Sequence, residues 1–174
     1  ADVNTRFDVP HSRWNCITVE QFEVAGLRVL VESDTAGVHL ATSKDGFRQV
    51  FFQGHPEYDT ISLLKEYKRD LMLYGKGVFK QPPPFPKNYF GVQEQALLNE
   101  YRARMEAAMA KGEPLPEFPE AQVVARLDNT WHDTAEAVVA NWLGLMYQVT
   151  NRVRKLPFME GIDPEDPLGL RGAI

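Results

Sequence analysis

Every stretch of this sequence that reads as β-strand falls between residues 27 and 53; the chain beyond residue 59 reads as helix or proline-rich connector. That asymmetry constrains the fold more than any other feature. Leu27-Arg28-Val29-Leu30-Val31 and Val38-His39-Leu40-Ala41-Thr42 flank a turn at Asp34-Thr35-Ala36-Gly37. A second turn, Lys44-Asp45-Gly46, leads to Gln49-Val50-Phe51-Phe52-Gln53. Asp-Gly between apolar runs predicts a hairpin. The third run is apolar on both faces, the pattern of a strand buried inside a layered sheet. A sheet block followed by helices predicts an α/β or α+β chain with the helices covering the sheet.

The helices follow from periodicity. Ile61, Leu64, Tyr67, Leu71 and Tyr74 predict an amphipathic helix over 60–74, capped by Asp59 or Thr60 and ended by Gly75. Gln81-Pro82-Pro83-Pro84-Phe85-Pro86 favours extended polyproline II. Val92 to Lys111 predicts a second helix, with Leu98, Tyr101, Met105 and Ala108 on one stripe, a Glu100–Arg104 pair at i,i+4 spacing, and Gly112 as its stop. After the connector 113–119, Thr130 and Asp133 have capping-box spacing before a third helix. Its core stripe would be Trp131, Ala135, Val138, Trp142, Leu145 and Val149. Beyond Arg154 the chain is rich in Pro and Gly and reads as a tail.

Composition narrows the function classes. The 174 residues are 44% apolar with a net charge of −5, which argues for a packed core and against a basic nucleic-acid-binding face. No apolar run reaches the roughly 18 residues of a membrane span. The single cysteine excludes a disulfide framework and suits a reducing cytosol. The opening Ala1-Asp2-Val3-Asn4 carries neither an initiator Met nor signal-peptide regions, as expected of a truncated or cleaved chain.

The sharpest chemical feature is Gln53-Gly54-His55-Pro56-Glu57-Tyr58-Asp59. A strand ends, a glycine opens the backbone, and an imidazole and a carboxylate come next, two residues apart. Functional groups of α/β sheets collect at such strand ends. Pro56 fixes its own φ and restricts His55, so His55 can serve as a general base oriented by Glu57. The alternative is a turn histidine beside a solvated glutamate. Cys16, in Trp14-Asn15-Cys16-Ile17, lacks the small neighbours of a nucleophile elbow and reads as a small buried hydrophobe. His11, His39 and His132 have no metal-ligand spacing to one another or to His55, so no metal is expected. Arg69 projects about 140° from Leu64 around its helix, off the core stripe. It is either a solvated arginine near Glu66 or a bidentate carboxylate clamp. Ser12 and Arg13 could present a hydroxyl and a cation to a ligand. Trp131 and Trp142 read as core residues.

Six motifs occur in one order: Val9-Pro10-His11-Ser12-Arg13, Glu32-Ser33-Asp34-Thr35-Ala36-Gly37-Val38, Gly54-His55-Pro56-Glu57-Tyr58-Asp59, Glu66-Tyr67-Lys68-Arg69-Asp70, Pro86-Lys87-Asn88-Tyr89-Phe90 and Asn141-Trp142-Leu143. The series resembles the C-terminal half of the homoserine O-succinyltransferase family. The resemblance implies an α/β fold similar to class I glutamine amidotransferases (flavodoxin-like), a mostly parallel sheet with helices on both faces, here only its C-terminal part. It divides the chain into a part with the His/Glu site (1–90), a helical insertion with proline-rich connectors (91–127), a terminal core helix (128–150) and a tail (151–174).

The same resemblance implies acyl transfer from an acyl-CoA, most simply succinyl-CoA, through a cysteine thioester to the hydroxyl of L-homoserine, in methionine biosynthesis. His55 and Glu57 fall on the family's catalytic pair, and Ser12 and Arg69 on its substrate contacts. No cofactor is implied beyond acyl-CoA as co-substrate. The nucleophilic cysteine would lie on an N-terminal half that precedes this chain, since Cys16 is downstream of the His-Ser-Arg motif. A cytoplasmic homodimer is expected, with neither nucleic acid nor membrane as partner. Acetyl transfer, serine as acceptor, an amidotransferase-like hydrolase and an inactive remnant are the alternatives.

Overall fold

A computed structural model describes residues 3–171; Ala1 and Asp2 of the expected truncated start, and residues 172–174 of the expected tail, lie outside the described residues. The chain divides into two compact units, residues 1–57 with 130–174, and residues 58–129.

The first unit holds the sheet. Strands β1 (Arg28–Ser33), β2 (Gly37–Thr42) and β3 (Val50–Phe52) lie in the order β1-β2-β3, antiparallel throughout. The element types are those of an α/β chain, and no parallel pair occurs among the described residues. The β1–β2 register slips twice, so that Leu30 on β1 and His39 on β2 have no partner opposite them. A short helix that the strand and helix periodicities do not flag, α1 (Val19–Val24), covers one face. Phe22 packs there against Val38 and Ala41. Its start is fixed by a capping box between Thr18 and Gln21.

Two expectations for the β2–β3 region fail. The 45–46 Asp-Gly does not make a tight hairpin. Residues 43–49 form a wider loop organised by Asp45, whose Oδ1 accepts from Ser43 Oγ (2.7 Å) and the N–H groups of Phe47 (3.2 Å) and Arg48 (3.1 Å). Three competing donors draw the aspartate into its own loop. Burial works against its charge, but the hydrogen bonds from Ser43, Arg48 and Phe47 and the Arg48 cation outweigh it and hold the carboxyl below its ordinary range. Nor is the third strand buried. Phe51 and Phe52 are 37% and 36% exposed, because β3 is an edge strand paired with β2 alone.

Helix α5 (His132–Val149) completes this unit. Its inward stripe is the expected one, with Trp131 and Val149 buried and Ala135, Val138, Trp142 and Leu145 half-buried. Trp142 Nε1 donates to the Phe47 carbonyl at 2.9 Å. The expected Thr130–Asp133 capping box is absent. The Thr130 hydroxyl donates instead to Asp8 Oδ2 at 2.7 Å, and Trp131 occupies the N-cap. Residues 151–171 fold back over the 43–49 loop, where Phe158 meets Phe47 edge-on and Arg48 stacks on Phe158.

The second unit is helical: α2 (Ser62–Gly75), α3 (Val92–Lys111) and α4 (Glu120–Val124). The predicted stripes face inward, and Leu64, Leu71, Leu98, Tyr101 and Met105 have no exposed surface. Neither Asp59 nor Thr60 is the N-cap of α2. Ile61 is, while Asp59 Oδ1 still accepts from Ile61 N and Ser62 Oγ. Gly75 is the last helical residue rather than the cap. A Cβ there would stand 2.8 Å from Leu115 Cδ1, so a larger residue would push the Leu115 side chain of the 113–119 connector aside. Gly112 ends α3 in the left-handed region at φ 68°, as its position predicts. No described helix is long and apolar enough to cross a membrane.

Candidate active site

Beyond β3 the chain turns through Gly54 into His55-Pro56-Glu57, and a second segment, residues 9–13, runs alongside it. The His55 N–H donates to the Pro10 carbonyl at 2.7 Å. Gln53 anchors the near end through its side chain. Its Nε2 donates to the carbonyls of Ile17 (2.9 Å) and Val38 (3.0 Å), and its Oε1 accepts from Ile17 N (2.8 Å). The turn is thus held by backbone and amide bonds before its functional side chains are considered.

His55 Nδ1 lies 2.8 Å from Glu57 Oε1, and its Nε2 lies 3.0 Å from the Ser12 carbonyl. Both neighbours are acceptors, so a doubly protonated ring satisfies both contacts at once. A neutral ring that donates to Glu57 keeps its lone pair on Nε2, the nitrogen from which it can take a proton. The two side chains remain accessible, with 32% of His55 and 67% of Glu57 exposed. The expected pairing of His55 with Glu57 is therefore made, and Ser12 lies beside it. Behind the turn, Phe52, Pro56, Trp131, Ala135 and Val138 line a shallow, mainly apolar crevice that His39 also borders.

Two histidines without metal-ligand spacing in the sequence belong to this neighbourhood. His39, buried on β2, packs its ring against His11 (5.6 Å between centroids), Phe52 (5.6 Å) and Phe7 (6.2 Å). His11 Nδ1 is hydrogen-bonded by Arg13, whose guanidinium also reaches the Ala36 carbonyl. Burial, with the Arg13 cation and His55 adding to it, pushes the His11 imidazole down to about 4. Burial followed by His11 and Arg13 pushes His39 down to about 4 as well. Both rings are neutral near pH 7. The sequence held one usable signal for them, the glycine before His55, because a Cβ at Gly54 would stand 2.6 Å from His39 Nδ1 and 2.9 Å from His11 Nε2.

Neither Arg69 nor Cys16 takes part in the described hydrogen bonds of this pair. Arg69 stands on α2 in the second unit, 59% exposed, with its Nε donating to Asp70 Oδ1 at 2.8 Å. That hydrogen bond holds the guanidinium still further toward its charged form. Cys16 is not the buried hydrophobe expected. It is exposed, with its sulfur 3.3 Å from Arg13 Nη2, because the segment 14–18 runs along the surface into α1. Trp131 is buried and Trp142 half-buried, as expected of packing residues.

A family model described as homoserine O-succinyltransferase matches residues 1–152. The homoserine O-succinyltransferase of Allochromatium vinosum is 63% identical over 170 residues, covering 98% of this chain and 48% of the relative. That of Thiobacillus denitrificans is 65% identical over 170 residues (98% and 47%), and that of Nitrosococcus oceani 60% over 169 (97% and 47%). The chain therefore spans about half the length of the curated relatives it matches. Residues 91–127, read from the sequence as an insertion, fall inside the matched stretch. With a His–Glu pair at the turn after β3 and this agreement along nearly its whole length, the chain belongs to the homoserine O-succinyltransferase family.

Proposed function

We propose that this chain is the part of a homoserine O-succinyltransferase that supplies the general base, and that the nucleophilic cysteine comes from an N-terminal half outside it. The observation that carries the reading is the His55–Glu57 hydrogen bond at 2.8 Å on a turn held by Pro10 and Gln53. A base needs a fixed tautomer, and a carboxylate on Nδ1–H supplies one while leaving Nε2 as the nitrogen that exchanges protons.

The chemistry runs in two steps. His55 Nε2 takes the proton of the cysteine thiol, the thiolate attacks the thioester carbonyl of succinyl-CoA, and coenzyme A leaves as a thiol with that proton. Nε2 then takes the proton of the homoserine hydroxyl, whose oxygen attacks the succinyl-cysteine. The cysteine leaves as a thiol and succinylhomoserine is released. Dividing the transfer this way replaces one difficult step with two easier ones. Glu57 stabilises the imidazolium formed in each. Arg69 would grip the homoserine carboxylate in bidentate fashion and Ser12 would contact the same substrate.

The reading places the intact enzyme in methionine biosynthesis in the cytoplasm, as a homodimer with an amidotransferase-like fold of which this sheet is one part. In the intact enzyme, His55→Gln should lower succinyl transfer by roughly 10²–10⁴-fold, the usual contribution of a positioned acid–base group. Near-normal transfer by both His55→Gln and Glu57→Gln would overturn the assignment.

A further inference from the structure

We propose that His39 is a positioning residue for His55, acting through the backbone of Gly54; the inference rests on the assignment of His55 as the base. His39 touches neither Glu57 nor the proposed reacting atoms in any described hydrogen bond. Its link to the site is steric and polar, through Gly54, the residue that immediately precedes the base.

Four observations carry it. His39 lies at a slip in the β1–β2 register, with no residue of β1 opposite it. Such irregularities re-aim a side chain and are frequent beside active sites. The ring is 5% exposed, and its Nδ1 has no hydrogen-bond partner among the described residues. A buried nitrogen left unpaired is a cost that phenylalanine would avoid in the same aromatic nest. That nitrogen points at Gly54, where a Cβ would come within 2.6 Å; the glycine α-hydrogen stands there instead. A lone pair on Nδ1 can accept this Cα–H, a weak bond that also requires the ring to carry its proton on Nε2. Finally, Val9 Cγ1 and His11 Nε2 crowd the same side of Gly54, at 2.8 and 2.9 Å from that Cβ position.

The consequence is positional. His55 hangs from Gly54, and the next residue, Pro56, is stiff. A shift of the glycine therefore moves the imidazole as a block. Rates respond steeply to such shifts, since a misplacement of about 1 Å can cost about 10²-fold. Among the described residues, no group of three or more His, Cys, Asp or Glu could hold a metal ion.

The test uses the intact enzyme, N-terminal half included, with succinyl-CoA and homoserine. His39→Phe keeps the ring and loses the acceptor; His39→Asn loses much of the ring but keeps an oxygen near the place of Nδ1. The expected result is a fall in kcat of about 10-fold or more for His39→Phe, with both KM values little changed, and a smaller fall for His39→Asn despite its poorer packing. Nitrogen-15 shifts of His55 should move in His39→Phe and return toward those of the parent in His39→Asn. Parental kcat in His39→Phe, or equal losses in the two variants, would overturn the inference. Should either variant fail to fold, the parent enzyme decides by its own His39 nitrogen shifts. An unprotonated Nδ1 supports the role, and a protonated Nδ1 overturns it. His55→Gln, run in parallel, separates the two claims. An active His55→Gln removes the base assignment itself, whereas an inactive one beside a fully active His39→Phe removes only the role of His39.

Discussion

Burying a neutral histidine makes folding sensitive to acid, and His39 gives that effect a size. Its imidazole is held at about 4, against 6.5 for the exposed ring, by burial first and by His11 and Arg13 second. The folded state thus binds fewer protons than the unfolded chain between those values. The stability this provides is complete above about pH 6.5 and is lost as pH falls toward 4. At about pH 5 the unfolded ring is charged and the folded ring is not, and about 1.5 units at about 1.36 kcal/mol each give a loss of about 2 kcal/mol. Urea unfolding at about pH 7.5 and about pH 5 would measure it in the parent chain and in His39→Phe. Every other titrating group, including His11, is present in both proteins and cancels to first order. The drop in unfolding free energy between the two pH values should be about 2 kcal/mol smaller in the variant, about 1 M in urea midpoint for a slope of about 2 kcal/mol per molar. Identical drops in parent and variant would refute the argument, because His39 would then exchange no protons on unfolding in this range.

The packing sets three further outcomes. Met105 is completely buried among Leu98, Tyr101 and Leu71, so Met105→Ala should cost about 2–5 kcal/mol in urea unfolding of the second unit. Asp45→Ala removes an acceptor shared by Ser43, Phe47 and Arg48 and should cost about 1–3 kcal/mol in the same assay. Because the folded carboxyl is held low, its contribution is present above about pH 4 and lost as pH falls below that, so the variant should also show a shallower acid limb. Gly112→Ala places a Cβ at φ 68° and should lower the unfolding midpoint by the equivalent of about 1–2 kcal/mol, with no change in far-ultraviolet helix signal at low temperature.

The helices were legible because their signals are local. The 92–111 stripe, its glycine stop and the inward residues of α2 depend only on neighbours three and four positions away. The short α1 had a local signal too, the Thr18–Gln21 capping box, but its six residues are too few for a periodic stripe. Sequence and structure part where a partner distant in the chain decides the outcome. Thr130 could have capped α5, yet Asp8, 122 residues away, accepts its proton. Val50-Phe51-Phe52 has the composition of a buried strand, yet burial depends on what lies on either side, and β3 has a neighbour on one side only.

The site divides along the same line, and the division explains why two of its histidines carry no spacing signal. His55 and Glu57 are two residues apart, so a bent backbone with a stiff proline nearly suffices to bring them together, and spacing alone could suggest the pair. His11, His39 and Gly54 come from three separate segments. Ligand spacing among histidines tells whether they converge on a metal, and these converge on a glycine instead. A glycine before a candidate base is commonly read as freedom for the backbone. Here its meaning is the reverse. The missing Cβ allows Val9, His11 and His39 to close on the chain, and the same absence that would loosen an exposed turn confines this one. A substitution that restores a Cβ at Gly54 must therefore push back the side chains of Val9, His11 and His39 or shift the backbone from which His55 hangs.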